Sequence, residues 1–368
     1  MSSIRSCFLL TPLLAVLGCA PSNSDLPSGQ PSQSRDCLKI TMTDGAVTTA
    51  PPAKVSLLFT VDTCGGEPVS GLTSDQFVIS EDGKAVSDFE SKKTVQPRSR
   101  SFRLYSLLLL DLSGSMLQSG HFPALRDAAL LYVDRILANQ GDGQRVAIAS
   151  FDGRSAITPL ADFTDNPQVL KDAINRLDVP ECETDVQCAV YTDRKTCSGW
   201  LCVDDSTNLN GAVSQGLDKV ELALANEPDI KFKEAALVVF TDGTDQASRV
   251  ETTVVHDKVD ESPAHVMTIG LGGEIDEGAL KDFGKDGFQP VVGAEELGAA
   301  FDEIAGRILG LANRFYLLEY CSPKRSGEHE IGISVRLGDD PKSTKLQGTL
   351  TETFDATGFE SGCQISGN

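Results

Sequence analysis

Between residues 104 and 313, short apolar runs alternate with amphipathic helical patterns, and that alternation leaves few folds open. Leu107–Leu110, Val146–Phe151, Leu237–Phe240 and Val266–Leu271 are near-continuous apolar stretches, the pattern of strands buried on both faces. Phe122, Leu125, Ala129, Tyr132, Val133 and Ile136 recur at helical spacing and predict a helix over 122–138. Leu209, Val213, Leu217, Val220 and Leu224 predict a second helix, and Leu297, Phe301, Ile304, Ile308 and Leu311 a last one over 295–313. Strands and helices in this order imply an α/β fold: a doubly wound, mostly parallel sheet covered on both faces, its crossovers right-handed.

Ligands of open α/β sheets bind outside the carboxyl ends of the strands. The run ending at Leu110 delivers Asp111-Leu112-Ser113-Gly114-Ser115 to such an end, with a carboxylate and two hydroxyls on alternate residues. A tight turn there can aim three oxygens at one hard cation, although Asp, Ser and Gly also make plain turns. Two distant segments add to the pattern. Val238–Thr241 is a second apolar run that leads into Asp242-Gly243, and Thr207-Asn208-Leu209-Asn210-Gly211-Ala212 opens a helical stretch. In order and spacing these segments, D-x-S-x-S, T-x-L-x-x-A and T-D-G, resemble the metal-ion-dependent adhesion site of a von Willebrand factor type A domain. The resemblance implies a Rossmann-like fold and hydroxyl ligands at Ser113, Ser115 and Thr207. It also implies carboxylates at Asp111 and Asp242 that coordinate directly or through water. The implied cofactor is Mg2+, or Mn2+ or Ca2+ in its place. Mg2+ keeps several waters and takes few carboxylates, so a hydroxyl-rich site suits it and stays exchangeable. Thr241 fits as the last strand residue and Asp245 as a loop carboxylate near the rim.

Other chemistries fit less well. Haloacid-dehalogenase-like phosphatases resemble the opening strand and Asp, but their general acid two positions on is Ser113 here, which has no proton to donate at a useful pKa. Gly270-Leu271-Gly272-Gly273 fails the dinucleotide spacing and reads as a turn. His121 lies just past the first motif, while His256, His265 and His329 are scattered without a triad or metalloprotease pattern. A non-enzymatic chain is expected.

The formal net charge is -21, which disfavours nucleic acid and anionic membrane surfaces as partners. At the N-terminus Arg5 precedes a short apolar stretch, Cys7–Leu17, that is too short to span a bilayer and reads as an export signal over residues 1–18. Val16-Leu17-Gly18-Cys19 resembles a bacterial lipobox, which implies lipidation at Cys19. Ala20 after it implies an outer-membrane lipoprotein, so membrane contact is expected only through the anchor. Residues 19–36, rich in Pro, Ser, Gly and Gln, read as a flexible tether. Eight cysteines remain, an even number that suits an exported, disulfide-bonded chain. Their clustering favours Cys37 with Cys64, Cys321 with Cys363, and Cys182, Cys188, Cys197 and Cys202 among themselves. The last four lack the closely spaced pairs a zinc site uses.

Residues 37–100 and 314–368 carry strand and turn signals and flank the domain over 101–313. Pro68–Thr73 with Glu81-Asp82-Gly83, and Tyr316-Leu317-Leu318-Glu319-Tyr320, resemble β-rich segments beside type A domains in bacterial proteins. The symmetric placement suggests one sandwich built from both flanks. Residues 180–205 interrupt the α/β pattern with four cysteines and the chain's only tryptophan, Trp200. This loop is expected beside the site, with Trp200 as a partner contact. The expected function is capture of a protein ligand's Asp or Glu through the cation at the cell surface. A structural envelope component with an idle site is the alternative.

Overall fold

The structure is a computed structural model describing residues 37–97, 102–138, 143–177, 181–190, 196–198, 200–204, 206–228, 230, 232–337, 347–363 and 365. The expected signal, Cys19 and the tether lie outside these residues. Among the described residues no helix is long and apolar enough to cross a membrane.

The chain begins with strands β1 (Leu38–Ala50), β2 (Lys54–Thr63), β3 (Phe77–Glu81) and β4 (Lys84–Ala85), a short helix α1 (Asp88–Ser91) and β5 (Thr94–Pro97). After a long excursion it returns with β14 (Phe315–Cys321), β15 (Glu328–Arg336) and β16 (Gln347–Asp355). Together these make two four-stranded sheets, ordered β1-β2-β14-β5 and β16-β15-β3-β4. Alternate residues Val55, Leu57, Phe59 and Val61 of β2 point between the sheets, where they meet Phe77, Ile79, Tyr316, Leu318 and Ile333. Period-two alternation thus supplies one face of the sandwich core. Cys37–Cys64 and Cys321–Cys363 are disulfide-bonded, as their clustering suggested.

The excursion is an α/β layer. It runs β6 (Phe102–Asp111), α2 (Gly114–Gln118), α3 (Phe122–Ile136), β7 (Gln144–Phe151), β8 (Thr158–Thr164) and α4 (Pro167–Asn175). An insertion follows with α5 (Asp185–Cys188), β9 (Thr196–Ser198) and β10 (Leu201–Val203). Then come α6 (Leu209–Ala225), β11 (Phe232–Thr241), α7 (Thr252–Glu261), β12 (His265–Leu271), α8 (Glu277–Phe283), β13 (Gly287–Val291) and α9 (Leu297–Asn313). The sheet order is β13-β12-β11-β6-β7-β8, parallel except for β8, which runs antiparallel to β7 at the edge. Leu104, Leu108 and Leu110 of the central strand face α3, α4 and α9. Tyr105, Leu107 and Leu109 face α6, α7 and α8. Burial on both faces explains why the strands read as continuous apolar runs. A Cβ on Gly216 of α6 would stand 2.7 Å from Leu237 and 2.9 Å from Leu109, so glycine lets this helix lie close on the sheet. The first long helix stops at Ile136, two residues short of the expected end.

Sandwich and α/β layer meet at the strands' N-terminal edge. Leu58, on the outer face of β2, joins Phe102, Phe232 and Phe315 in the α/β core, and the Phe102 and Phe315 rings lie 4.6 Å apart. A chain of ion pairs borders this junction. Arg314, the residue that ends α9, binds Asp62 of β2 at 3.1 Å and also Glu234 of β11. His265 reaches Glu234 at 3.6 Å and Asp286 at 2.8 Å. Burial pulls the His265 pKa down, but Asp286 and Glu234 outweigh it and hold the group at about 9.

A histidine held above its ordinary value stabilises the fold below about pH 6.5, and that contribution is lost as pH rises through about 9. Wild type is therefore expected to lose on the order of 2 kcal/mol of unfolding free energy between neutral pH and pH above 9, and His265→Gln less than half of that. Chemical denaturation of both proteins at the two pH values checks it; parallel losses would remove His265 from the account.

Candidate metal site

The central strand fixes the first candidate residue. β6 is hydrogen-bonded to β11 on one side and β7 on the other, and its last residue, Asp111, is fully buried. Pairing of Phe240 with Leu110 sets Thr241 beside Asp111. The Thr241 hydroxyl donates to Asp111 Oδ2 at 2.6 Å, and the Ser113 amide donates to Asp111 Oδ1 at 2.8 Å. These two bonds fix the plane of the carboxylate.

Ser113 then occupies the position just before the short helix α2, and Ser115 stands in its first turn. Their hydroxyl oxygens are 3.2 Å apart, and Ser115 donates to Asp242 Oδ1 at 2.8 Å. Thr207 comes from the other side of the site, just before α6. Its carbonyl accepts from the amides of Gln246 and Ala247, both at 2.9 Å, which pins the loop after β11 to the start of α6. A Cβ built on Gly243 would lie 3.9 Å from Thr207 Oγ1 and 4.0 Å from Ser115 Oγ, so both hydroxyls face one space that a side chain there would fill. Thr207 is 2% exposed, and its hydroxyl has no hydrogen-bond partner among the described residues. All five residues singled out by the sequence are thus gathered at the C-terminal edge of the sheet.

Burial, and then the charge of Asp242, push the Asp111 carboxyl up to about 7. Burial also raises Asp242, with His121 pulling it down and Glu274 pushing it up. Two carboxylates held under the surface beside three hydroxyls form a group whose like charges a hard cation would offset. The donor set is all hard oxygen and only partly charged, which fits Mg2+ or a similar divalent ion.

Several neighbours escaped sequence reasoning. Thr241 is the last strand residue as expected, but it also orients Asp111, a role that depends on which strand lies beside β6. Asp245 is a half-buried loop carboxylate that also accepts from the Asn210 amide at 2.9 Å and the Ser248 amide at 3.0 Å, tying its loop to the first turn of α6. Buried Asp152 holds Arg154 at 2.7 Å, while Asn208 caps α6 at the Gly211 amide. His121 ends up at the start of α3, partly exposed near Asp242.

The insertion stands beside the site. Gly114 of the motif donates to the Asp204 carbonyl at 2.8 Å, so the loop's last strand is tied to the α2 turn. Two disulfides, Cys182–Cys197 and Cys188–Cys202, cross-link it, which uses up the thiols a zinc ion would need. The Cys182 amide donates to the Trp200 carbonyl at 2.9 Å, while the Trp200 side chain is 72% exposed.

Residues 106–198 match the family model described as von Willebrand factor type A domain. The match includes Asp111, Ser113 and Ser115, whereas Thr207 and Asp242 lie beyond it. The chain therefore contains a von Willebrand factor type A domain, built on the mostly parallel sheet described above. No curated protein matches the chain. Among solved structures it is similar to a von Willebrand factor type A protein from Catenulispora acidiphila, at 12% identity and TM-score 0.43, over 90% of this chain and 76% of that one. It is also similar to the manganese-loaded Plasmodium vivax TRAP protein, at 13% identity and TM-score 0.42, over 73% of this chain and 99% of that one. Proximal thread matrix protein 1 from the mussel byssus, with a zinc-occupied MIDAS motif, matches at 15% identity and TM-score 0.41. That match covers 63% of this chain and 49% of the mussel protein, so the chain spans about half its length.

Saturating Mg2+ is expected to raise the melting temperature of the wild type by about 5 °C, the scale for a ligand near a hundred times its Kd. Asp111→Asn and Thr207→Val should fold and show no such rise. Differential scanning calorimetry with Mg2+ and with EDTA measures it, and an unchanged rise in both variants would place the ion elsewhere.

Proposed function

Taking the type A domain as the premise, we propose that the chain is an exported protein-interaction module that captures an acidic side chain of a protein partner through a divalent cation. The supporting observation is the convergence of Asp111, Ser113, Ser115, Thr207 and Asp242 on one opening at the sheet edge. When bound, the ion supplies an electrophilic centre that a partner's Asp or Glu can complete. The chain's own residues supply the rest. Asp111, locked by Thr241 and the Ser113 amide, anchors the site from below, the three hydroxyls give neutral donors, and Asp242 is held by Ser115. A site neutralised only in part by its own protein keeps an appetite for an outside carboxylate.

The four disulfides support an oxidising compartment, and with the lipobox-like segment ending at Cys19 they favour an outer-membrane lipoprotein displayed at the cell surface. Trp200 on its cross-linked loop adds a specificity contact, because a stapled loop loses little entropy on binding. The phosphatase alternative finds no support at Ser113, whose hydroxyl lies against Ser115 where a general acid would have to stand.

Capture of a partner from surface extracts is expected with Mg2+, to be lost in EDTA, and to be lost in Asp111→Ala. Deletion of residues 182–202 should weaken capture while leaving the Mg2+-induced rise in melting temperature intact. Partner retention that is indifferent to both EDTA and Asp111→Ala would sink the cation mechanism.

A further inference from the structure

The residues around the cation opening say more about the partner than the opening does. Among the described residues, the five most exposed large hydrophobic side chains are Phe89 at 94%, Val292 at 86%, Val186 at 79%, Val190 at 78% and Trp200 at 72%. All but Phe89 lie at the C-terminal edge of the α/β sheet. Val292 directly follows β13, two strands along from the end of β11 and so about 10 Å from it. Trp200 is four residues, so at most about 14 Å, from Asp204, whose carbonyl is bound by Gly114 of the motif turn. Val186 and Val190 share its cross-linked loop. The opening faced by the unpartnered hydroxyl of Thr207 therefore lies between two apolar shoulders.

Both shoulders are rimmed by acids. Glu181, Glu183 and Asp185 are exposed on the insertion. Glu274, which is close enough to Asp242 to act on its charge, and Glu295 are exposed on the other side. Among the described residues, Arg154 is bound to Asp152, and Arg249, though exposed, has its Nε donating to the Gly153 carbonyl at 2.9 Å. A carboxylate arriving here meets an attractive centre inside a repulsive rim. An acidic partner surface would thus be rejected, whereas a lone carboxylate set among cations would be drawn in.

Resting on the cation reading above, we propose that this face docks a protein segment in which one Asp or Glu is flanked by basic and apolar residues. The carboxylate completes the cation site, the apolar residues cover the shoulders, and the basic residues meet the acidic rim, with a lysine or arginine stacked on the Trp200 face. Cations over a tryptophan face gain from the ring quadrupole as well as from the nearby carboxylates.

Short synthetic peptides test this against the full chain by fluorescence anisotropy. One carries a central Asp between Lys and Leu residues, a second the same Asp between Glu and Leu residues, and a third replaces the Asp of the first by Asn. In Mg2+ the Lys-flanked peptide is expected to bind at least about tenfold tighter than the Glu-flanked one. Trp200→Ala, at an exposed position that leaves the fold alone, should weaken it by about tenfold. Glu183→Lys combined with Glu274→Lys should reverse the order of the two Asp peptides. Equal binding of the two, tighter binding of the Glu-flanked peptide, or no binding of either overturns the proposal. Asp preferred over Asn in Mg2+ only, without any effect of flanking charge, would leave the cation reading standing while the flanking claim falls. Equal binding of Asp and Asn peptides in Mg2+ and EDTA would count against the cation reading itself.

Discussion

The hydrogen bond from Thr241 to Asp111 joins the ends of two adjacent parallel strands, and the candidate site is built outward from it. A carboxylate at the end of the central strand is buried by both helical layers, and left alone it would either take a proton or swing away. Thr241 and the Ser113 amide hold it charged-ready and planar. The turn that presents Ser113 and Ser115, and the loop after β11 that brings Asp242, both start from that pair of strand ends. Thr207 is brought to the same place by a different route, through the two amides that its carbonyl accepts. The site therefore depends on the register of β6 with β11 more than on any single ligand.

That register is protected from below. Leu58 of the sandwich enters the α/β core, and Arg314 binds Asp62 of the sandwich together with Glu234 of β11. The sandwich draws strands from both ends of the described chain, so the α/β layer hangs from it by two adjacent connections, after β5 and before β14. Layers joined in this way share a core at the seam, and the seam lies at the edge opposite the candidate ligands.

Much of the α/β layer was legible because it is local. Apolar runs such as Leu107–Leu110 and helical faces such as Phe122 to Ile136 need only their own residues to declare them, and Asp111, Ser113 and Ser115 lie within one turn. Thr207 and Asp242 were found through a pattern spread over three segments. What stayed hidden depends on adjacency in space. Thr241 orients Asp111 only because β11 lies next to β6, and Asp245 holds the start of α6 only because that helix begins beside its loop. The insertion's four cysteines allow three pairings, and nothing in their spacing selects Cys182 with Cys197 and Cys188 with Cys202. The antiparallel edge strand β8 is mixed in burial and carries Pro159, so its run was too irregular to stand out.

The central position of β6 bears on mechanical load. A partner attached through the candidate site would pull on Asp111, the last residue of a strand that is hydrogen-bonded along its length to β11 and to β7. Such a pull would run roughly along the strand axis and away from the sandwich, so the bonds on both sides would be sheared together and could not peel open one at a time. Such a strand yields only when many bonds fail at once, and an attachment formed at its tip would resist traction far better than one formed on an edge strand or a surface loop.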